Sequence, residues 1–376
     1  MKQAGISDEL YQDQILPHVS RSFALTIPQL RLGLRTPVTS AYLLCRIADT
    51  IEDESALSVA DTLVSLQRFA AVVHGRDDPS LLPMELLPQL SKRTSPAERD
   101  LVLNIERIVR VTAQLQEPQR HAIERCIRVM CGGMHQFQRT ASLRGLPRMS
   151  DLDDYCYYVA GVVGQMLTEL FCGYSAQIAQ NRGALHDLAT SFAQGLQMTN
   201  ILKDIWEDRS EGACWLPQEV FTRYGIDLTQ LPEQHLRAGF AGALSELVGL
   251  AHAHLRNALA FTLLIPAQEA GIRRFCLWSI GLAVLTLQRI EHSPGFTSAK
   301  QVKVSHRGVV MTTLLAGVWA RNDWMLARLF KWAAHSLPLA PPAKLRRSFR
   351  TIDENRREPF ETMVDSADPL ASTLAR

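Results

Sequence analysis

Two stretches of this sequence carry carboxylates at a spacing suited to chemistry. Residues 195–208 read GLQMTNILKDIWED and residues 42–53 read YLLCRIADTIED. In the first, Gln197, Asn200, Asp204 and Asp208 step by three or four and share one helix face; in the second, Tyr42, Arg46, Asp49 and Asp53 do the same. Apolar residues such as Leu202, Ile205, Leu44 and Ile47 fill much of the remaining circumference. A nearly buried helix that carries unpaired charge either loses the charge or finds a counterion. If the two D-x-x-x-D pairs face one another, their carboxylates outnumber the cations beside them, Arg46 and Lys203. Hard divalent cations suit such a site. Mg2+ binds through one or two carboxylates, keeps waters and accepts substrate phosphate oxygens. The expected centre is therefore a diphosphate held through Mg2+ by Asp49, Glu52, Asp53, Asp204 and Asp208. One D-x-x-x-D is ordinarily a solvated helix face; two, each in an apolar helix and each beside a base, point to function.

The elements that must position these residues read as helices almost throughout. Ser7–Val19 is amphipathic. Ser20–Leu30 breaks at Pro28, and Pro37 suits the first turn of the helix carrying Asp49. Val59–Val73, Pro96–Leu115 and Pro118–Arg139 follow, with His74–Ser95 as a linking loop. Asp151–Tyr174 (DLDDYCYYVAGVVGQMLTELFCGY) holds Gly161 and Gly164 one turn apart, each costing about 1 kcal/mol of helix propensity against alanine. Those glycines predict a small-residue face, against either a bulky neighbour or a substrate. Further helices are expected at Pro217–Tyr224, Pro232–Ile265, Gly271–Ile290, His306–Ser336 and Pro342–Arg356, with a polar, frayed tail at 357–376. There is no repeat and no low-complexity linker, so one all-α domain over residues 1–356 is expected.

Composition bounds the rest. A chain of 376 residues, 47% hydrophobic, can bury a large core. The net charge of +2 gives no general field for nucleic acid. Seven cysteines with no C-x-x-C pair read as core residues in a reducing compartment. No signal core is present at the N-terminus, and no run reaches the roughly 18 apolar residues of a membrane span. Phe275–Leu287 and Gly308–Ala320 read as buried helices. A cytoplasmic chain is expected.

At this point the sequence resembles the squalene/phytoene synthase family of head-to-head prenyl synthases. Ser20-Arg21-Ser22-Phe23 resembles its early basic motif, and Arg46 with Asp49–Asp53 its first aspartate-rich motif. Tyr155–Leu170 matches Y-C-x-x-V-A-G-x-V-G, Gln197–Asp208 the second aspartate-rich motif, and Trp215-Leu216-Pro217 its trailing anchor. The resemblance implies a single-domain isoprenoid-synthase helical bundle around a central cavity. It implies that two farnesyl diphosphates condense through a cyclopropylcarbinyl diphosphate, with Tyr155 as the catalytic tyrosine. Ser20, Arg21, Tyr42, Arg46, Gln197, Asn200 and Lys203 would contact the diphosphate. Tyr157 is expected to be structural, and Tyr158, one turn on, is the less easily dismissed neighbour.

Residues 302–308 (VKVSHRG) are more similar to the squalene synthase branch, whose basic segment there is associated with a nicotinamide cofactor. Lys303 and Arg307, with Arg21, Arg46 and Lys203, would then hold NADPH. Three departures stand out. Lys203 replaces an arginine and loses the planar fork, Ala213 replaces another, and the C-terminal anchor of eukaryotic members is not recognised. The implied protein is a soluble, bacterial-type member that touches membrane surfaces transiently to release product. The alternatives are a same-fold synthase making presqualene diphosphate, dehydrosqualene or phytoene without reduction, a catalytically silent assembly factor, and a helical-repeat binding module.

Overall fold

Apolar residues at helical spacing become helices wherever a cap or a proline starts them. The computed structural model describes residues 6–20 and 22–340. Ser7 caps α1 (Asp8–Val19), its hydroxyl accepting from the Leu10 amide. Helix α2 (Leu32–Glu52) starts five residues before Pro37, which lies in its second turn instead of its first. Ser58 caps α3 (Val59–Val73), with the expected boundaries. The stretch expected as one helix from Pro96 breaks at Asn104 into α4 (Pro96–Leu103) and α5 (Ile105–Ala113). The linking loop before it is not structureless: Leu81–Leu86 forms a helical turn and a half.

Helix α6 (Glu117–Gln138) packs on α2 and α3. The segment expected as one helix from Asp151 has three parts. They are α7 (Met149–Cys156), a π-helical turn at Tyr157–Gly161, and α8 (Val162–Tyr174). A π turn adds a residue to the helical repeat, so the faces before and after it differ from those of a continuous helix; such turns are frequent at functional sites. The acidic helix is likewise broken. α9 (Arg182–Lys203) ends at Asp204, whose backbone (φ −97°, ψ 15°) leaves the helical region, and α10 (Ile205–Ser210) resumes with Asp208.

Helix α11 (Gln218–Arg223) leads to α12 (Ala238–Leu264) and α13 (Ala270–His292), which pack with α9 through the middle of the molecule. The helix expected over His306–Ser336 breaks at Arg321 into α14 (His306–Trp319) and α15 (Asp323–Ala333). The fold is all-α. The only β pairing among the described residues is a bridge between Leu146 and Pro217. The helix expected at 342–356, the boundary at 356 and the tail lie outside the described residues.

Two glycines have a specific packing reason. A Cβ on Gly164 would lie 2.4 Å from the Ala189 carbonyl oxygen, so α8 approaches the α9 backbone only without a side chain there. A Cβ on Gly133 would lie 2.1 Å from Cγ of Tyr158, whose ring occupies that notch in α6. Small-residue packing thus accounts for Gly164 and fixes Tyr158 as a packing residue.

One helix among the described residues, α13, is long and apolar enough to cross a membrane. It exceeds the apolar run seen in the sequence, but 61% of its most apolar window is buried against its neighbours, as expected of a core helix. The seven cysteines are all unpaired, and all but Cys45 are buried.

Candidate active site

Two chambers meet between α2, α7 and α9. The deeper, of about 540 Å³, is walled mainly by apolar side chains, among them Phe171, Phe192, Phe261 and Phe275. Its polar end holds Tyr42, Arg46, Asp49, Asn200, Lys203 and Asp204. The outer cleft, of about 290 Å³, holds Asp53, Asp204, Asp208, Glu211, Arg93 and Trp215. Glu52, Asp53, Tyr155, Gln197, Asn200 and Asp204 line both. Both acidic stretches therefore open on one space, which lies within the ~300–1,000 Å³ usual for small-ligand sites.

Each stretch is fixed by its own surroundings. Arg46 lies 3.7 Å from Asp49 and is ion-paired with Glu98. Glu98 also accepts from the Ser95 amide in a capping box at the start of α4. That dual role was hidden in the sequence, where S-x-x-E reads only as a cap. On the other side Lys203 lies 3.1 Å from Asp204. Arg93, which sequence reasoning missed, is ion-paired with Glu211 across the cleft mouth.

Against these cations stand more carboxylates than they can neutralise. Glu52, Asp53 and Asp208 have neither a side-chain hydrogen bond nor an ion pair among the described residues. Burial pushes the Asp49 carboxyl up to about 6, with Arg46 pulling it back, although 39% of its side-chain surface stays open to the cavity. Burial, then Asp204, Glu211 and Asp53, push Asp208 up to about 7. Glu52 is raised by burial and by Asp53 and Asp49. Asp53 is pushed the same way by surrounding protein and by Asp49, but it stands exposed at the cleft mouth, where water weakens the push. Asp53 from one motif and Asp208 from the other line the same cleft, close enough to repel. Glu54 gives the contrast. It also lines the cleft, but it accepts from the Ala56 and Ser91 amides and the Thr94 hydroxyl, and its carboxyl is held below the usual range despite burial. It is a structural acid, whereas Glu52, Asp53 and Asp208 lack donors among the described residues.

Donors that lack partners fit a divalent cation. Among the described residues no three His, Cys, Asp or Glu side chains close into a cage around a single point. Mg2+ in such a site needs only one or two carboxylates when phosphate oxygens complete its shell.

The pKa shifts predict a pH dependence. The ordinary aspartate value is near 3.9, so between about pH 4 and 7 the folded chain holds protons on Asp49 and Asp208 that the unfolded chain has lost. Stability contributed by these groups therefore falls as pH rises through that window. Buried His254, pushed down to about 3, contributes with the opposite sign below about pH 6.5. The comparison is therefore with Asp208→Asn. Without Mg2+, wild-type melting temperature should drop relative to that variant between pH 5 and 8; parallel curves would deny the shift.

Tyr155 stands between the acids and the apolar chamber. The isolated bridge explains how. The Leu146 amide donates to Leu216 at 2.9 Å and the Gln218 amide to Leu146 at 2.7 Å, pinning the Trp215-Leu216-Pro217 run beside α7. Trp215 then stacks on the Tyr155 ring (centroids 4.2 Å apart, 7° between planes), and Phe137 meets it edge-on at 5.3 Å. The Tyr155 hydroxyl has no hydrogen-bond partner among the described residues. Burial and the nearby Glu52 and Asp208 raise it well above an ordinary phenol, so it stays protonated. Tyr157 is buried away from the chambers.

Other expected site residues are placed less directly. The Ser20 hydroxyl accepts from the Phe23 amide, and the Tyr42 hydroxyl donates to the Val19 carbonyl, each at 3.0 Å, so Ser20 lies beside the chamber end without lining it. Arg21 lies outside the described residues. Lys303 and Arg307 are exposed and line neither chamber. The turn before them is nonetheless docked on the second acidic segment, where the Ala299 amide donates to Glu207 at 2.9 Å.

The comparisons with known proteins cover the segments that build this site. The squalene/phytoene synthase family matches residues 16–308. A squalene synthase of Cochliobolus lunatus is 28% identical over 295 residues, which is 78% of this chain and 68% of that protein. The chain thus spans about two thirds of the length of that fungal relative, and nothing here singles out a bacterial subtype. A ligand complex of TcSQS superposes with a TM-score of 0.72 at 23% identity, covering 91% of this chain and 95% of the other. A ligand-bound dehydrosqualene synthase gives 0.60 at 22%, covering 83% and 96%. These structures establish the isoprenoid-synthase bundle. With the family match running from the end of α1 to the start of α14, and both acidic motifs and Tyr155 inside it, the chain belongs to the squalene/phytoene synthase family.

Proposed function

We propose that this protein is a squalene synthase. It condenses two farnesyl diphosphates head to head through presqualene diphosphate and reduces the product with NADPH. The observation that carries the reading is the junction of the two chambers, where acids that outnumber their cations meet an apolar cavity. Mg2+ bound there would act as a Lewis acid that withdraws charge from a leaving diphosphate. Asp49, Glu52 and Asp53 would hold it from one side and Asp204 and Asp208 from the other. Arg46 and Lys203 clamp diphosphate oxygens; Gln197 and Asn200 reach the same space. The phenylalanine walls keep water from an allylic cation, and the Tyr155 ring, backed by Trp215, lies where its face stabilises positive charge. The Tyr155 hydroxyl is positioned to give and recover a proton.

The NADPH assignment rests on charge and placement. No Gly-rich dinucleotide fingerprint exists in the sequence, so phosphates must meet side-chain cations. Lys303 and Arg307 follow a turn docked on α10 and are free to meet a dinucleotide at the surface. Their distance from both chambers is the observation that favours the rival reading, a same-fold synthase that stops at presqualene diphosphate or makes dehydrosqualene or phytoene. An apolar product would leave into lipid.

The experiment is product identification from farnesyl diphosphate and Mg2+, with and without NADPH. We expect presqualene diphosphate without the cofactor and squalene with it. Lys303→Ala/Arg307→Ala should keep presqualene diphosphate formation and lose most squalene, at least about tenfold for two lost charge-assisted contacts. Unchanged squalene output removes these residues from the cofactor site. An unreduced product from wild type with NADPH in excess moves the protein to the rival branch.

A further inference from the structure

Helices α14 and α15 turn one side inward and leave the other bare. Ala316, Ala320 and Leu326 pack with Leu259 and Leu277 of α12 and α13 in a small core of their own. Among the described residues the outer side is neither polar nor covered. On α14, Met311, Leu314 and Val318 are exposed, Val318 by 71%, and Arg307 lies on the same stripe at steps of three and four. On α15, Trp324, Arg328 and Trp332 repeat every four residues; the tryptophans are 63% and 70% exposed, and the Arg328 guanidinium sits 4.9 Å over the Trp324 ring.

Charge follows the same segment. Residues 299–340 hold six Lys and Arg (Lys300, Lys303, Arg307, Arg321, Arg328 and Lys331) against one acid, Asp323, a net +5. The remainder of the chain is therefore net −3, since the whole is +2. Asp323 is itself ion-paired with Arg273 at 2.5 Å.

A polar pocket of about 200 Å³ opens at the amino end of α13 and reaches the turn between α14 and α15 through Arg321. Arg31, Arg274 and Arg321 line it, none with an ion-pair partner among the described residues, with Glu269 as its one acid. Leu32, beside Arg31, is 79% exposed.

We propose that the α14–α15 face docks on an anionic lipid surface, with the Arg31–Arg274–Arg321 pocket taking a lipid phosphate. Exposed tryptophans beside aliphatic side chains suit the headgroup boundary, where an indole is half in contact with lipid and half wet. Basic residues around them draw the face to an anionic leaflet. A second copy of the chain would bring two positive faces together, and repulsion opposes that pairing. The proposal takes from the assigned function only its purpose, delivery of an apolar product into lipid. Binding is read without turnover, so its failure is distinguishable from failure of the enzymatic assignment.

The test is co-sedimentation of the full chain with vesicles of phosphatidylcholine alone and of phosphatidylcholine with phosphatidylglycerol. Binding should favour the anionic vesicles by at least about tenfold and weaken with salt. Trp324→Ala/Trp332→Ala should weaken it by at least about tenfold. Arg321→Glu/Arg328→Glu, at exposed positions that carry no core packing, should do the same, and circular-dichroism melting checks that each variant folds. Neither pair lies in the catalytic chambers, so turnover on solubilised substrate should not change. The proposal is overturned by absence of binding to anionic vesicles, by equal binding of both folded variants, or by a sedimenting dimer that the tryptophan variant dissociates. A stabilising shift with inorganic phosphate and no vesicle binding would assign the pocket to a free anion and overturn it as well.

Discussion

Asp49→Asn and Asp204→Asn should each lower kcat at least about a thousandfold, close to 4 kcal/mol of lost transition-state stabilisation. Each replaces a charged oxygen donor by an amide on one of the two facing motifs, and a diphosphate bridged to one side only is misplaced for departure. The double variant should lose little more than either single one, because groups that act as a unit are not additive. Stability should move the other way. Asp49 is near-isosteric with asparagine, its carboxyl is held up near 6 by burial, and its neighbours Glu52 and Asp53 are acids. Removing one charge relieves repulsion, so the Mg2+-free variants should melt at or above wild type at pH 8. Retention of more than a tenth of wild-type kcat at saturating Mg2+ would remove that residue from the site.

Tyr155→Phe carries the second large effect. The phenyl ring keeps its stacking on Trp215 and its edge contact with Phe137, so cation stabilisation by the ring and local packing survive. The hydroxyl, which stays protonated among Glu52 and Asp208, is lost. General acid–base catalysis is worth about 10²–10⁴-fold, and we expect kcat to fall within that range with KM nearly unchanged. Tyr157→Phe, a buried position off the chambers, should leave kcat alone. A Tyr155→Phe enzyme with full turnover per folded molecule and a lowered melting temperature would make Tyr155 a packing residue.

The acidic motifs were legible because their period is helical and their surroundings apolar: a carboxylate every fourth residue in a run such as NILKDIWED has few structural uses. The break at Asp204 was not legible, since residues on both sides favour helix and only the tertiary setting unwinds one residue. The π turn at Tyr157–Gly161 was likewise invisible, although its glycines gave a hint in their cost to a helix. Glu98 was missed because a capping-box glutamate has a sufficient local reason to exist. Arg93 sits in the segment expected as a plain loop, and its partner Glu211 is 118 residues away. Pairings of that kind leave no mark on local pattern. Phe137 and Trp215 were readable as apolar residues, but their sandwich around Tyr155 depends on the Leu146–Pro217 bridge, a contact between segments 71 residues apart.

The central claim is that both acidic motifs hold divalent cations together with one substrate diphosphate. Anomalous diffraction from crystals soaked with Mn2+ and a non-hydrolysable farnesyl thiodiphosphate measures it directly. Mn2+ peaks are expected beside Asp49 and Asp53 and beside Asp204 and Asp208, bridged by the diphosphate, with the farnesyl chain in the apolar chamber. A diphosphate bound with no Mn2+ at one of the two motifs, or Mn2+ bound away from both, would contradict it.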